Sequence, residues 1–128
     1  MVANAVLDSS AVLAVLNDEP GARTVESLLS DALISTVNYA EIVAKLVEQG
    51  SSALEAMALL QSIALVAADF DVGQAWRTGA LRAATKRRGL SLGDRACLAL
   101  AEREGLPAVT GDRKWLGAVP GIEVRLFR

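Results

Sequence analysis

Ala5-Val6-Leu7-Asp8-Ser9-Ser10 is the stretch whose reading decides the fold. A short apolar run stops at a carboxylate and two hydroxyls, and a second apolar run, Ala11 to Leu16, follows. A buried parallel strand that hands an acid to the carboxyl edge of a sheet and then turns into a helix reads this way. In open α/β sheets that edge is where ligands and chemistry gather.

Working outward, strand-like and helix-like runs alternate. Val2 to Leu7 predicts the first strand and Ser9 to Leu16 a helix, with a turn at Pro20-Gly21. Ala22, Val25, Leu28 and Leu29 recur at helical spacing, and Ala32 to Val37 reads as a second strand. Asn38 is expected to open a helix whose buried stripe is Ala40, Val43, Ala44 and Val47, ending at Gly50. Ser51-Ser52 caps the next helix, to about Leu60, and Ser62 to Ala67 is a third strand. Asp71 begins a long helical stretch that stops at Gly89, and Asp94 to Glu104 forms a helix closed by Gly105. Pro107 to Thr110 and Ile122 to Phe127 supply the last strands. This alternation predicts an α/β fold, a three-layer α/β/α sandwich with a mainly parallel central sheet. At 128 residues the size prior is a single domain, 1–128.

Composition narrows the chemistry. Apolar residues make up 52% of the chain and mean hydropathy is +0.35, which excludes a disordered class. No apolar run approaches the ~18 residues of a membrane span. The N-terminus lacks the pattern of a signal peptide, so a soluble cytoplasmic protein without membrane association is expected. There is no histidine, which rules out Ser-His-Asp, Cys-His and His-zinc chemistry. The single cysteine, Cys97, sits in an Ala/Leu run and reads as a small core residue. Net charge is only −2, but Met1 to Ala75 carries two basic and ten acidic residues, whereas Trp76 to Arg128 carries eleven basic and five acidic. Such asymmetry suggests a face for a polyanion, or an ordinary solvated helix surface.

Four acids stand at the joints of the pattern: Asp8, Glu41, Asp94 and Asp112. Each has a local reading. Asp8 fits a helix cap and Asp112 a turn after Gly111, while Asn38…Glu41 and Ser91…Asp94 have capping-box spacing. Together, strand ends and helix starts share one edge of a parallel sheet, so the four are able to converge. Clustered carboxylates repel, and a bound cation removes that cost. All-oxygen donors suit Mg²⁺ or Mn²⁺, and a water acidified by the ion is a nucleophile that needs no histidine.

These motifs resemble those of PIN-domain nucleases. The match comprises Val6-Leu7-Asp8-Ser9-Ser10, Asn38-Tyr39-Ala40-Glu41, Ser91-Leu92-Gly93-Asp94-Arg95-Ala96 and Val109-Thr110-Gly111-Asp112-Arg113-Lys114-Trp115, in order. The length is similar to that of the VapC-like toxins of toxin–antitoxin modules. The resemblance implies a Rossmann-like sandwich and a Mg²⁺- or Mn²⁺-dependent endoribonuclease, with Asp8, Glu41, Asp94 and Asp112 as acidic and metal-binding residues. It places Ser9 and Thr110 as supporting hydroxyls, and gives Asn38 where many relatives have Ser or Thr. It also implies an RNA substrate, a homodimer and inhibition by a cognate VapB-like antitoxin. Arg95 and Arg113, beside two of the acids, are candidates to hold RNA phosphates, with ion pairing to those acids as the other reading. Trp76 and Trp115 are expected in the core, with stacking on bases as the other reading. The apolar positions Val12 to Leu16 and Val25 to Leu29 offer either a partner groove or core packing.

Two rivals remain at this level. A haloacid-dehalogenase-like phosphatase uses an Asp after its first strand but usually a second Asp two residues on, where this chain has Ser10. A non-enzymatic regulatory or scaffold domain would keep the acids only as caps.

Overall fold

A computed structural model describes residues 3–128. Val2, expected to begin the first strand, lies outside the described residues. The strands are β1 (Ala5–Leu7), β2 (Ala32–Ser35), β3 (Val66–Ala68), β4 (Ala108–Thr110) and β5 (Val124–Leu126). The α-helices are α1 (Ser9–Leu16), α2 (Ala22–Glu26), α3 (Thr36–Glu48), α4 (Ala53–Gln61), α5 (Val72–Ala80), α6 (Arg82–Thr85) and α7 (Leu92–Glu104). The described strands form one sheet, parallel throughout, in the order β3-β2-β1-β4-β5. The α/β/α sandwich expected from the alternation is therefore what the chain builds.

Strand β1 shows why. Its three residues are all buried but point alternately to the two faces. Ala5 and Leu7 join a core with Val12, Val25, Ile34, Ile42 and Leu60, under α1 to α4. Val6 joins the opposite core with Leu81, Cys97, Leu98, Leu100 and Trp115, under α5 to α7. The chain leaves β1 towards β2 on one side and later returns to β4 on the other. The carboxyl ends of β1 and β4 thus flank a topological switch point, where a crevice opens.

Several local expectations change. Helix α3 starts at Thr36, two residues before Asn38, because Ser35 at the end of β2 caps it by accepting from the Val37 N–H at 3.2 Å. The buried stripe of α3 is Asn38, Ile42 and Leu46, while Ala40, Ala44 and Val47 face solvent. The long stretch after Asp71 breaks at Leu81 into α5, α6 and a 3-10 turn. Helix α5 inverts the usual pattern: it buries Gln74 and Thr78 and exposes Val72 and Trp76. Trp115 lies in the core as expected, but Trp76 is 78% exposed. Val12 and Val25 are core residues, which uses the inner faces of α1 and α2; Leu13, Leu16, Leu28 and Leu29 stay half-buried.

Candidate active site

Asp8 is set by the edge of β1. Its backbone N–H donates to the Val109 carbonyl at 2.9 Å, which locks it opposite the end of β4. The side chain caps α1, accepting from the Ser9 N–H at 2.8 Å. Ser10 Oγ and Thr110 Oγ1 donate to its other oxygen at 2.7 and 2.9 Å. Ser10 also accepts from the Gly111 N–H, and Thr110 from the Asp112 N–H, so both hydroxyls tie β1 to the loop after β4. Asp8 is only 5% exposed. Burial pushes its carboxyl up to about 6; the Ser10 and Thr110 bonds hold it down, and the nearby Asp94 and Glu41 charges push it up further.

Glu41 lies one turn into α3 and is joined to the site by two donors. Asn38 Nδ2 reaches its Oε1 at 2.9 Å and Ser9 Oγ reaches the same oxygen at 3.2 Å. Asn38 is fully buried and also donates to the Gly93 carbonyl at 3.0 Å, so it clamps α3 to the start of α7 rather than capping a helix. Two acceptors face the same amide nitrogen, which fixes the amide orientation. Gly93 completes the clamp. A Cβ there would lie 2.3 Å from Glu41 Oε2, so only glycine lets this carboxylate rest against α7.

Asp94 and Asp112 combine both readings made from the sequence. Asp94 closes a capping box with Ser91, accepting from the Ser91 N–H at 2.8 Å, and Asp112 caps the 3-10 turn Arg113–Trp115 by accepting from the Lys114 N–H at 2.9 Å. Both also line one cleft of about 580 Å³ with Asp8, Ser9, Ser10, Gly111, Arg113 and Arg128. Ser9 Oγ donates to Glu41 and Thr110 Oγ1 donates to Asp8.

The two arginines differ. Arg113 is exposed in the cleft wall. Arg95 instead donates to the Thr78 carbonyl at 3.0 Å and does not line the cleft. Successive residues of a helix point about 100° apart, so a capping Asp94 sends Arg95 toward α5. It pairs with neither carboxylate nor cleft, contrary to both expectations. Sequence reasoning missed Ser10, the Asn38 clamp and Arg128; Ser10 is half-buried and Asn38 fully buried at the edge, a signal that emerges only once β1, α3 and α7 are side by side. Cys97 is fully buried, and burial with the three acids nearby holds its thiol well above the usual range, as suits a core residue.

The donor set fits a hard divalent ion. It is all oxygen, and among the described residues Glu41 Oε2 and Asp94 Oδ1 accept no hydrogen bond. The acids form a loose cluster: among the described residues no group of three is placed as a ready-made cage. A second depression, about 440 Å³ over Val72, Ala75, Trp76, Gly79 and Ala80, is apolar and has no acid or hydroxyl in its lining.

Comparison with known proteins now decides the family. The PIN domain family matches residues 5–120. The chain is a PIN domain. It is 36% identical over 111 residues to a Ribonuclease VapC of Mycolicibacterium smegmatis, covering 80% of this chain and 86% of that protein. Among solved structures, DNA-bound VapBC from Salmonella typhimurium superimposes with a TM-score of 0.76 at 24% identity, over 99% of this chain and 100% of that one. VapC20 of Mycobacterium tuberculosis, described as a sarcin-ricin loop cleaving toxin, gives 0.71 at 15% identity over 94% and 99%. At those identities the structures speak for the fold. The PIN domain motifs found in the sequence are the ones that line the cleft and its clamp.

Proposed function

We propose that this PIN domain is a VapC-like endoribonuclease toxin that hydrolyses RNA phosphodiester bonds with the help of Mg²⁺ or Mn²⁺. The observation that carries the reading is Asp8. A cap residue has no need to be buried beside two other acids, yet Asp8 is, with its carboxyl pushed up to about 6. Asp8, Glu41 and Asp94 would hold the ion, with Asp112 at the margin of the cleft. When bound, the ion would acidify a water and neutralise charge on the phosphate.

The chain's own residues do the rest. Ser10 and Thr110 fix the rotamer of Asp8 by donating to one oxygen. Asn38, resting on the Gly93 carbonyl, holds Glu41 across the cleft from α1. Arg113, on the cleft wall, is placed to meet a phosphate of the strand. The phosphatase rival loses support at Ser10, which is engaged between Asp8 and Gly111 and leaves no second acid there. The caps a scaffold would need are present, but they do not explain Glu41, which caps nothing and is held by two side chains.

The relatives suggest partners. Several similar structures are complexes of a VapC with a VapB, so a VapB-like antitoxin and a homodimer belong to the proposal. The half-buried Leu13, Leu16, Leu28 and Leu29 on α1 and around α2 offer an apolar strip for such a partner helix. No described helix is long and apolar enough to cross a membrane.

The test is to free the protein of co-purified partner and incubate it with RNA or a phosphomonoester, with Mg²⁺, Mn²⁺ or chelator. Metal-dependent cleavage of RNA, lost in Asp8→Asn, is the expected result. Phosphate release without RNA cleavage would favour the phosphatase, and absence of both activities the scaffold.

A further inference from the structure

We infer that Arg128 is a phosphate anchor for the RNA strand at the mouth of the acidic cleft, with Glu19 occupying its guanidinium until RNA arrives. This deepens the nuclease reading and rests on it.

Arg128 and Arg113 are the cations of a cleft otherwise walled by Asp8, Asp94 and Asp112. Three carboxylates repel an RNA strand, and positive charge at the entrance offsets that repulsion. Arg128 is also firmly placed. Beyond β5, the Phe127 N–H donates to the Thr110 carbonyl at 3.2 Å, and the Phe127 ring is buried. The Arg128 guanidinium lies over that ring, 5.0 Å from its centre. Two glycines make the seat. Gly21, at φ +88°, passes so close to Phe127 and Arg128 that a Cβ would lie 2.6 Å from the Phe127 carbonyl oxygen. A Cβ at Gly111, the residue after Thr110, would lie 3.0 Å from Arg128 Nε.

The side chain is held but not used up. Nη1 of Arg128 donates to Glu19 Oε1 at 2.9 Å, and both side chains are 37% exposed. That single bond takes one of the five donors of a guanidinium. An ion pair this exposed is weak and readily exchanged, and the planar fork matches a phosphate as well as a carboxylate. Glu19 lies in the turn between α1 and α2, so its carboxylate marks a place where an anionic oxygen meets Arg128 beside the cleft.

The experiment uses the full chain carrying Asp8→Asn, so that a fluorescent single-stranded oligoribonucleotide is bound without being cut. Adding Arg128→Ala is expected to weaken binding about tenfold at low salt. It should also reduce the slope of log affinity against log salt by about 0.7, the loss of one phosphate contact on a single strand. Arg128→Lys should restore the slope but not the full affinity, and Glu19→Gln should tighten binding about threefold. If Arg128→Ala destabilises the protein, the Lys and Gln variants carry the test alone. An unchanged salt slope in Arg128→Ala, or no gain in Glu19→Gln, overturns the anchor while leaving the nuclease reading intact. Failure of the parent to bind RNA, with no cleavage by the wild type, overturns both.

Discussion

The floor and the rim of the cleft are built on opposite terms. At the floor, Asp8 and Asn38 are buried, and each is held by groups from distant parts of the chain. At the rim, Arg113 is exposed, and Arg128 and Glu19 meet in a half-exposed pair. Buried polar groups are expensive unless fully bonded, while exposed pairs contribute little either way. The floor therefore holds a carboxyl raised by its own burial, whereas the charges of the rim stay in contact with solvent.

The sharpest way to break this contrast is Asp8→Asn, which should cost roughly 10³-fold or more in RNA cleavage and yet stabilise the chelator-treated protein. The sign follows from the raised carboxyl, about 6 against 3.8 when unperturbed. Its stabilising contribution is complete below about 3.8 and is lost as pH rises through about 6. At pH 7 the wild type should thus fall short of the variant by about 3 kcal/mol, a gap that closes towards pH 4. Chemical denaturation of both proteins across that range measures it; a gap independent of pH would mean that the floor is not strained by charge.

Next comes Gly93→Ala. The new methyl displaces the end of a flexible side chain, Glu41, so the fold should survive while Glu41 leaves Asn38 and Ser9. Cleavage and metal affinity should drop about 10- to 100-fold, as when a supporting contact of a ligand is lost. Isothermal titration with Mn²⁺ reads this directly, and unchanged affinity would remove Glu41 from the site. The smallest effect belongs to the rim: Arg113→Ala should raise KM about three- to tenfold, with kcat and the melting temperature nearly unchanged. A fall in kcat instead would move Arg113 from the rim to the floor.

Much of this was legible in one dimension. A strand ending in Asp8, glycines after α7 and at the end of β4, and caps at Ser52, Asp71 and Ser91 are local signals, and each element they announce is present. What stayed hidden depends on contact between elements. Asn38 has the spacing of a cap, but Ser35, the last residue of β2, takes that role and frees Asn38 to bridge two helices. The buried face of α3 is not legible in the sequence because Ala40, Ala44 and Val47 are as apolar as the residues that pack. In α5 the apolar residues point outward, so Trp76 meets solvent and Gln74 and Thr78 occupy the core side instead. Arg95 shows the same limit at the site: adjacency in sequence to Asp94 is a right-angle turn in space.

The hydrogen bond between Thr110 and Asp8 joins residues 102 positions apart. Strand β1, first in sequence, lies between β2 and β4 and cannot be completed until β4 has been made and docked. Closing so long a loop is slow, and a chain leaving the ribosome adds residues in order. The nascent polypeptide can therefore form α1 to α4 around β1 and β2 early, with Asp8 still lacking its Thr110 partner. Asp8 thus gains its Thr110 donor only when β4 docks beside β1, so one residue of the cleft depends on both ends of the chain.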